Sequence, residues 1–319
     1  MALDSLIPGG EDIEVLIIDD GSKDGTLKVA KEYEERYPNI FRAIHQENKG
    51  HGGAINNALS QAQGTFFKVL DSDDKVDEES LRRAIAFLKE KGSEIDLLVM
   101  DYVYYHGWDN PTNHIGFRTV MKQGTVLTPN EVKQFTLKQN ITLHTAMYKT
   151  SVLRESKVNL PEHCSYEDNY MVYALMFYIK HLAYLALPFY CYFIGREGQS
   201  MQEDILKRKY FDFIRCAELI WDAGDVTSFK KTNKGLYRLL RHHLHMNMAY
   251  AYTFAHLNDS PEALQDLRDF DEKAKKKNLA QWKNVHRSIQ FRFMGTTSKF
   301  GHWRAKTVYK LAHLFVRFN

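Results

Sequence analysis

Residues 13–18, IEVLII, form an unbroken apolar run that ends abruptly in Asp19-Asp20-Gly21-Ser22. That pattern predicts a strand covered on both faces, followed by a sharp turn. Further strands are read at FRAIH (41–45), TFFKVL (65–70), which runs into Asp71-Ser72-Asp73-Asp74, and IDLLVM (95–100). Helical stretches lie between these runs. The first carries Leu27, Ala30 and Tyr33 and stops at Pro38; the second carries Ala54, Ala58, Leu59 and Ala62 and stops at Gly64. The third has one apolar face of Leu81, Ala84, Ile85 and Leu88, with Gly92 placed as a C′ glycine. Strands alternating with helices imply βαβ crossovers, so the expected fold class is α/β with a mostly parallel, doubly wound sheet.

Further along the pattern loosens. Residues 104–125 read as an irregular or short-stranded connection. Thr128-Pro129-Asn130-Glu131 combines a capping box with Pro at N1 and predicts a helix start. ITLHTAMY (141–148) predicts a strand with Thr142, His144 and Ala146 on one face. A helix is expected from Glu167 to about Lys180, then an extended segment over 183–194, and only helices from 203 onward. Charge marks a boundary at the same place. Residues 203–319 hold 22 Lys and Arg against 12 Asp and Glu, whereas residues 1–202 hold 21 against 28. The expected organisation is therefore a domain over 1–202 and a basic helical region over 203–319.

An apolar share of 44% with 26% charged residues fits a folded core rather than disorder. Three cysteines without a CxxC pair exclude a disulfide scaffold, disfavour structural zinc, and fit a reducing compartment. No apolar run reaches the 18 or so residues of a membrane-spanning helix. The opening MALDSLIPGGEDIE lacks the features of a secretory signal, so the expected location is cytoplasmic.

Three acidic clusters stand at or near expected strand ends, where ligands bind in open α/β sheets: Asp19-Asp20, Asp71-x-Asp73 and Glu167-Asp168. Each has a structural reading by itself, as a turn former, an N-cap or a first-turn carboxylate complementing a helix dipole. Carboxylates gathered in one crevice repel one another unless a cation offsets them. Mg²⁺ or Mn²⁺ bridging carboxylates to a diphosphate would do so.

The ordered set VLIIDDGSKDGT, HQENKGHGGAINNAL, GTFFKVLDSDD and YEDN closely resembles family 2 glycosyltransferases of the GT-A fold, over roughly residues 3–200. The resemblance implies an inverting, metal-dependent enzyme that moves a sugar from a nucleotide-sugar donor, UDP-linked by preference, to a hydroxyl on a saccharide or lipid-linked acceptor. It implies that Asp19 and Asp20, with Ser22 beside them, hold the nucleoside, and that Asn48, Gly50 and Gly52 line the nucleotide. It makes Asp71 and Asp73 the DxD motif, with Asp73 the direct metal ligand and Asp71 nearer ribose and metal. Asp168 becomes the catalytic base with Glu167 as its neighbour, and Arg196 in GREGQS (195–200) reaches the diphosphate. The cofactor is Mn²⁺ or Mg²⁺, and the setting is cell-surface or exopolysaccharide synthesis. The family's opening strand has no counterpart ahead of Leu3, so the catalytic domain reads as N-terminally truncated relative to the pattern, with impaired or absent catalysis as the alternative function. Ile55 stands where many members carry Arg. A dinucleotide-binding oxidoreductase is a minor alternative that lacks its GxGxxG.

His51 and His144 are either site-lining or structural histidines. His242, His243 and His245 form a helical cluster with no further ligand in view, and Cys164 reads as an inert thiol. Trp303, Val308, Leu311, Leu314, Phe315 and Phe318 fall at helical spacings with Arg304, Lys306, Lys310 and Arg317 on other faces. Residues 300–319 thus suit either an anionic membrane surface at the inner face of the cell membrane or packing on the domain. No nucleic-acid motif accompanies the basic stretch.

Overall fold

The computed structural model describes residues 1–195, 199, 202–288, 291, 297, 301–307 and 309. They divide into two compact units: Met1–Cys164 with Leu175–Ile194, and Ser165–Ala174 with the chain from Gly195 onward.

In the first unit a 3₁₀ segment, Asp4–Asp12, leads into β1 (Val15–Asp20), α1 (Thr26–Arg36), β2 (Phe41–Gln46), α2 (Gly50–Gln61), β3 (Phe66–Phe67) and β4 (Lys75–Val76). Then come α3 (Glu78–Lys91), β5 (Leu97–Tyr105), β6 (Pro111–Ile115), β7 (Val126–Leu127), β8 (Ala146–Lys149) and α4 (Thr150–Ser156). Helix α5 (Glu167–Met176) spans the division between units, and β9 (Leu182–Phe193) completes the first. The sheet order is β3-β8-β5-β9-β4, with β6 on β5 and β7 on β9. Its core joins Val76, Leu81, Ala84, Ile95, Leu98, Met100, Ala183 and Leu187. Helix α3 shows why this segment folds as read: Asp77 caps it by accepting from Ser80 N at 2.8 Å, and Leu81 and Ala84 are its buried stripe.

The α/β class holds, but the sheet is mixed. β1–β2 and β5–β9 are parallel, while β3–β8, β5–β8, β5–β6, β4–β9 and β7–β9 are antiparallel. The antiparallel members are short strands drawn from the loosely patterned middle and from strand ends, where periodicity carries little signal. Three local expectations change. Among the described residues β1 ladders with β2 alone, and Val15–Ile18 are half-buried rather than covered on both faces. The run 65–70 is a strand only at Phe66–Phe67. The run 141–148 becomes a strand only at Ala146, because Thr145 folds the preceding residues into a turn: its N and Oγ1 both donate to Thr142 O. The capping box at Thr128 is present, but it opens a three-residue 3₁₀ turn instead of a longer helix.

In the second unit α6 (Glu203–Arg208), α7 (Tyr210–Ala223), α8 (Phe229–Thr232), α9 (Lys234–Asn258), α10 (Pro261–Lys277) and α11 (Leu279–His286) bear out the helical expectation. α9 is capped by Asn233 and α10 by Ser260. α9 buries Leu239, Leu240, Leu244, Met248 and Tyr252, and α7 buries Phe213, Ile214, Ala217, Ile220 and Trp221. His242, His243 and His245 all lie in this interior. All three cysteines are buried thiols outside any disulfide. No helix among the described residues is long and apolar enough to cross a membrane. Of the C-terminal stripe, Trp303 is exposed and Lys306 pairs with Asp259, while Val308, Lys310, Leu311, Leu314, Phe315, Arg317 and Phe318 lie outside the described residues.

Candidate functional site

β1 and β2 run parallel, with Asp19 opposite His45 and Asp20 opposite Gln46. Their carboxyl ends therefore deliver four polar side chains to one edge, where open sheets bind ligands. Asp20 turns its carboxylate onto the start of α2. Its Oδ1 accepts from Lys49 N at 2.8 Å and Gln46 Nε2 at 2.6 Å, and its Oδ2 accepts from Gly50 N at 2.8 Å. Asn48 Nδ2 donates to the Asp20 carbonyl at 3.0 Å. A helix start leaves backbone N–H groups without intrahelical partners, and here a carboxylate from another strand satisfies two of them. Gly50 sits at φ 74°, and a Cβ there would lie 3.1 Å from His163 N. Gly21, at φ 75°, would put a Cβ 2.9 Å from Asn48 N. Both positions need glycine for conformation and for close approach. Gly52 is buried within the first turn of α2.

Asp19 is buried and faces inward. Its Oδ2 meets His45 Nδ1 at 2.5 Å, and its Oδ1 accepts from Ser22 N at 3.3 Å. Burial pushes Asp19 up, but the bonds from Ser22 and His45 outweigh it and hold the carboxyl below its ordinary range. The acidic pair thus has two separate tasks: Asp20 builds the glycine turn, and Asp19 anchors a half-exposed His45.

Asp71 lies past the end of β3, between two imidazoles. His51 Nε2, from the first turn of α2, is 3.3 Å from its Oδ1, and His144 Nε2 is 3.5 Å from its Oδ2. Tyr190 OH reaches the same Oδ2 at 3.3 Å and accepts from Asp71 N at 3.2 Å. Burial would raise Asp71, but His144 and His51 outweigh it and hold its carboxyl far below the usual carboxylate range. His144 packs edge-on to Tyr190 and Tyr192, with ring centroids 4.8 Å away in each case. Asp74 is fully buried. Its Oδ2 accepts from Tyr190 OH and its Oδ1 from Phe193 N, both at 2.7 Å. Burial raises it to about 6, against the lowering by those two bonds. Lys68 donates to the carbonyls of Leu143 and His144 at 2.6 and 2.8 Å. The residue is half-buried but its ammonium is the desolvated end: burial lowers it to about 7, with Asp71 and Asp74 pulling the other way.

One oxygen each from Asp71 and Asp74 and one nitrogen of His144 lie within 4.8 Å of one another. Two carboxylates and an imidazole suit Mn²⁺, and Mg²⁺ with more reliance on water. Within this trio, however, both Asp74 oxygens already accept good hydrogen bonds and the group is raised toward protonation. An ion would have to break those bonds. Asp73, next to it, is half-buried. The residues present therefore fit a divalent ion at Asp71 and His144, while both Asp74 oxygens are held by Tyr190 and Phe193.

Glu167 and Asp168 open α5 in the helical unit. Tyr166, immediately before them, adopts φ 65° and stacks on Phe213 at 4.0 Å. Such strain in a non-glycine residue persists only where its surroundings fix it. Asn169 Nδ2 donates to Asp168 Oδ1 at 3.1 Å, and Glu167 is buried. Arg196 lies outside the described residues. The structure thus gathers Asp19, Asp20, Ser22, Asn48, Gly50, Gly52, Asp71 and Asp73 in the first unit, and it places Glu167 and Asp168 in the second. Sequence reasoning missed His45, Lys68, Asp74 and Tyr190. Only Asp74 carried a signal, as the last residue of the acidic run; His45 and Tyr190 sit inside apolar strand patterns.

A profile for glycosyl transferase family 2 matches residues 2–156. Poly(ribitol-phosphate) beta-N-acetylglucosaminyltransferase TarS of Staphylococcus aureus is 25% identical over 262 residues, which is 81% of this chain and 44% of that protein. The chain thus spans less than half the length of this relative. The crystal structure of S. aureus TarS 1–349 in complex with UDP-GlcNAc superposes with a TM-score of 0.66 at 21% identity, covering 100% of this chain and 88% of that one. The mannosyltransferase PcManGT from Pyrobaculum calidifontis, solved with GDP-Man and Mn²⁺, has a TM-score of 0.50 at 15% identity, covering 99% of this chain and 83% of that one. Fold, motif order and profile agree: the chain has the GT-A fold, and its residues 2–156 match glycosyl transferase family 2.

Proposed function

We propose that this chain transfers a sugar, with inversion, from a UDP-linked donor to a hydroxyl acceptor, with Mn²⁺ or Mg²⁺ bound at Asp71 and Asp73. The observation that carries this reading is the Asp71 carboxylate, held ionised between His51 and His144 beside the glycine turn that Asp20 builds. A carboxylate fixed in that state has its charge ready for a cation. The bound ion would offset the charge that develops on the diphosphate as it leaves. Support for a UDP-sugar comes from TarS, which was solved with UDP-GlcNAc, and support for Mn²⁺ from PcManGT.

The protein's own groups do the rest. Gly50 and the Asp20-bound turn let the backbone approach the nucleotide closely, with Asn48, Gly52 and Ser22 assigned to the same edge. Arg196 is assigned to the diphosphate. Asp168 takes the proton from the acceptor hydroxyl as that oxygen attacks the anomeric carbon and the bond to the diphosphate breaks. Asn169 fixes the Asp168 carboxylate for this step, and Glu167 supports the helix start. Attack opposite the leaving group inverts the anomeric centre. The excess of basic residues over 203–319 favours an anionic acceptor or an anionic membrane surface. TarS is named for a poly(ribitol-phosphate), an acceptor of that charge, so the proposed setting is cell-surface polymer synthesis at the cytoplasmic face of the membrane.

Titration calorimetry with UDP, with and without Mn²⁺, on the wild type and Asp73→Ala tests the donor side. Mn²⁺ should tighten UDP binding in the wild type, and Asp73→Ala should remove that gain. Mn²⁺-dependent UDP binding that survives in Asp73→Ala refutes the ligand assignment.

A further inference from the structure

The loop before β8 must place His144 at Asp71, yet it contains no regular structure. Thr142–Thr145 is a single turn, and β8 begins only at Ala146. Two consecutive carbonyls of this loop, Leu143 O and His144 O, point to one donor, the Lys68 ammonium, at 2.6 and 2.8 Å. The same ammonium lies 5.0 Å from the centroid of the Tyr190 ring. Tyr190 in turn touches all three members of the acidic cluster's frame: its ring packs on His144, and its hydroxyl bonds Asp71 and Asp74. Lys68 therefore ties the residues that follow β3 to a loop 75 residues away, at the point where the imidazole meets the carboxylate.

We propose that Lys68 is a positioning residue that seats His144 beside Asp71, so that the imidazole completes the donor set with the two DxD carboxylates. A Lys ammonium carries three donors and no acceptor, so it can hold two carbonyls and still face an aromatic ring. An apolar residue of the same size would leave both carbonyls unsatisfied, and the loop would turn to recover partners. His144 would then leave Asp71. This inference deepens the metal–diphosphate reading and rests on it for its effect on donor binding, but the seating itself is a property of the metal-free protein.

The test uses the full chain as wild type, Lys68→Met, Lys68→Gln, Lys68→Arg and His144→Ala. Long-range ¹H–¹⁵N correlation of the metal-free proteins reports the His144 imidazole, identified by its loss in His144→Ala. Electron paramagnetic resonance with Mn²⁺ alone reports metal affinity, and thermal unfolding reports stability. Lys68→Met should move the His144 resonance to that of a solvated imidazole and weaken Mn²⁺ binding about 10–100-fold, the range for losing a group that orients a ligand. Lys68→Arg should restore both in part. A lysine that merely stabilised the fold would lower the melting temperature without moving either signal, and that result overturns the proposal. Should Lys68→Met not fold, Lys68→Gln, a shorter side chain that keeps two N–H donors, decides by the same two signals. Should the wild type bind no Mn²⁺, the metal reading falls. The His144 resonance then decides alone: a shift in folded Lys68→Met upholds the seating, and no shift overturns it.

Discussion

Asp74→Asn separates the two carboxylates that compete for the role of second metal ligand. In the folded protein Asp74 is raised from 3.8 to about 6 by burial. A gap of about two units is worth about 3 kcal/mol. The sign follows from linkage. A group raised on folding binds its proton more tightly in the native state. Its contribution is fully present below pH 3.8 and is lost as pH rises through about 6. At pH 7 the ionised, buried Asp74 therefore burdens the metal-free fold by about 3 kcal/mol relative to its protonated form. Asn carries no such burden, but it offers one acceptor where Asp74 offers two, so either Tyr190 OH or Phe193 N loses its partner. That loss costs about 1–3 kcal/mol. Metal-free Asp74→Asn should thus be less stable than the wild type by about 1–3 kcal/mol near pH 4, and equal or more stable above pH 7. Urea unfolding in EDTA from pH 4 to 8 measures the difference. A stability difference that stays flat over that range would refute the raised Asp74. The same variant, titrated with Mn²⁺ beside Asp73→Asn, completes the test. Asp74→Asn should keep the ion and Asp73→Asn should lose it; the reverse would make the ion site Asp71, Asp74 and His144.

Three further outcomes are expected. Asp168→Asn should leave UDP binding near wild type while sugar transfer falls by about 100-fold or more, as for loss of a general base; near-normal turnover removes Asp168 from that role. Asp20→Ala should lower stability by about 2 kcal/mol, since it strips a charged cap from the start of α2, and should weaken UDP binding through the glycine turn; unchanged unfolding would show that the three bonds to Asp20 carry no weight. In α9, burial lowers His243 to about 3, with His242 adding to the effect. A histidine kept neutral by the fold contributes stability that is intact above its unfolded value of 6.5 and lost as pH falls below it. His243→Leu should therefore reduce the loss of stability between pH 7 and pH 5 by about 2 kcal/mol, as measured by urea unfolding at the two pH values.

Sequence patterning read the helices and the acidic strand ends well for a common reason: both are local. The α3 stripe, its Asp77 cap and the Asp19-Asp20 turn are complete within a few residues. The mixed pairing of the sheet is not local. β8 lies antiparallel between β3 and β5, and that register is set by contacts across about 50–80 positions, which period-2 patterning does not report. The alternating segment at 141–145 failed as a strand for a similar reason, because Thr145 closes a turn whose carbonyls are taken by a lysine from another part of the chain.

The candidate site divides along the same line. Its acids were legible because they recur, in order, at or near the ends of successive expected strands. Their states were not, since each depends on what the fold brings from elsewhere. Asp19 is bound by His45 from the neighbouring strand, Asp71 by histidines from α2 and the loop before β8, and Asp74 by Tyr190 and Phe193 of β9. Two aspartates within four positions thus experience opposite environments: two imidazoles hold Asp71 ionised, while burial lifts Asp74 toward neutrality. An acidic motif read as a string treats its members as equivalent ligands. The packing around this one assigns them different work, with Asp71 as the charged centre and Asp74 as the brace beneath it, and that inequality is what the Asp73 and Asp74 variants measure.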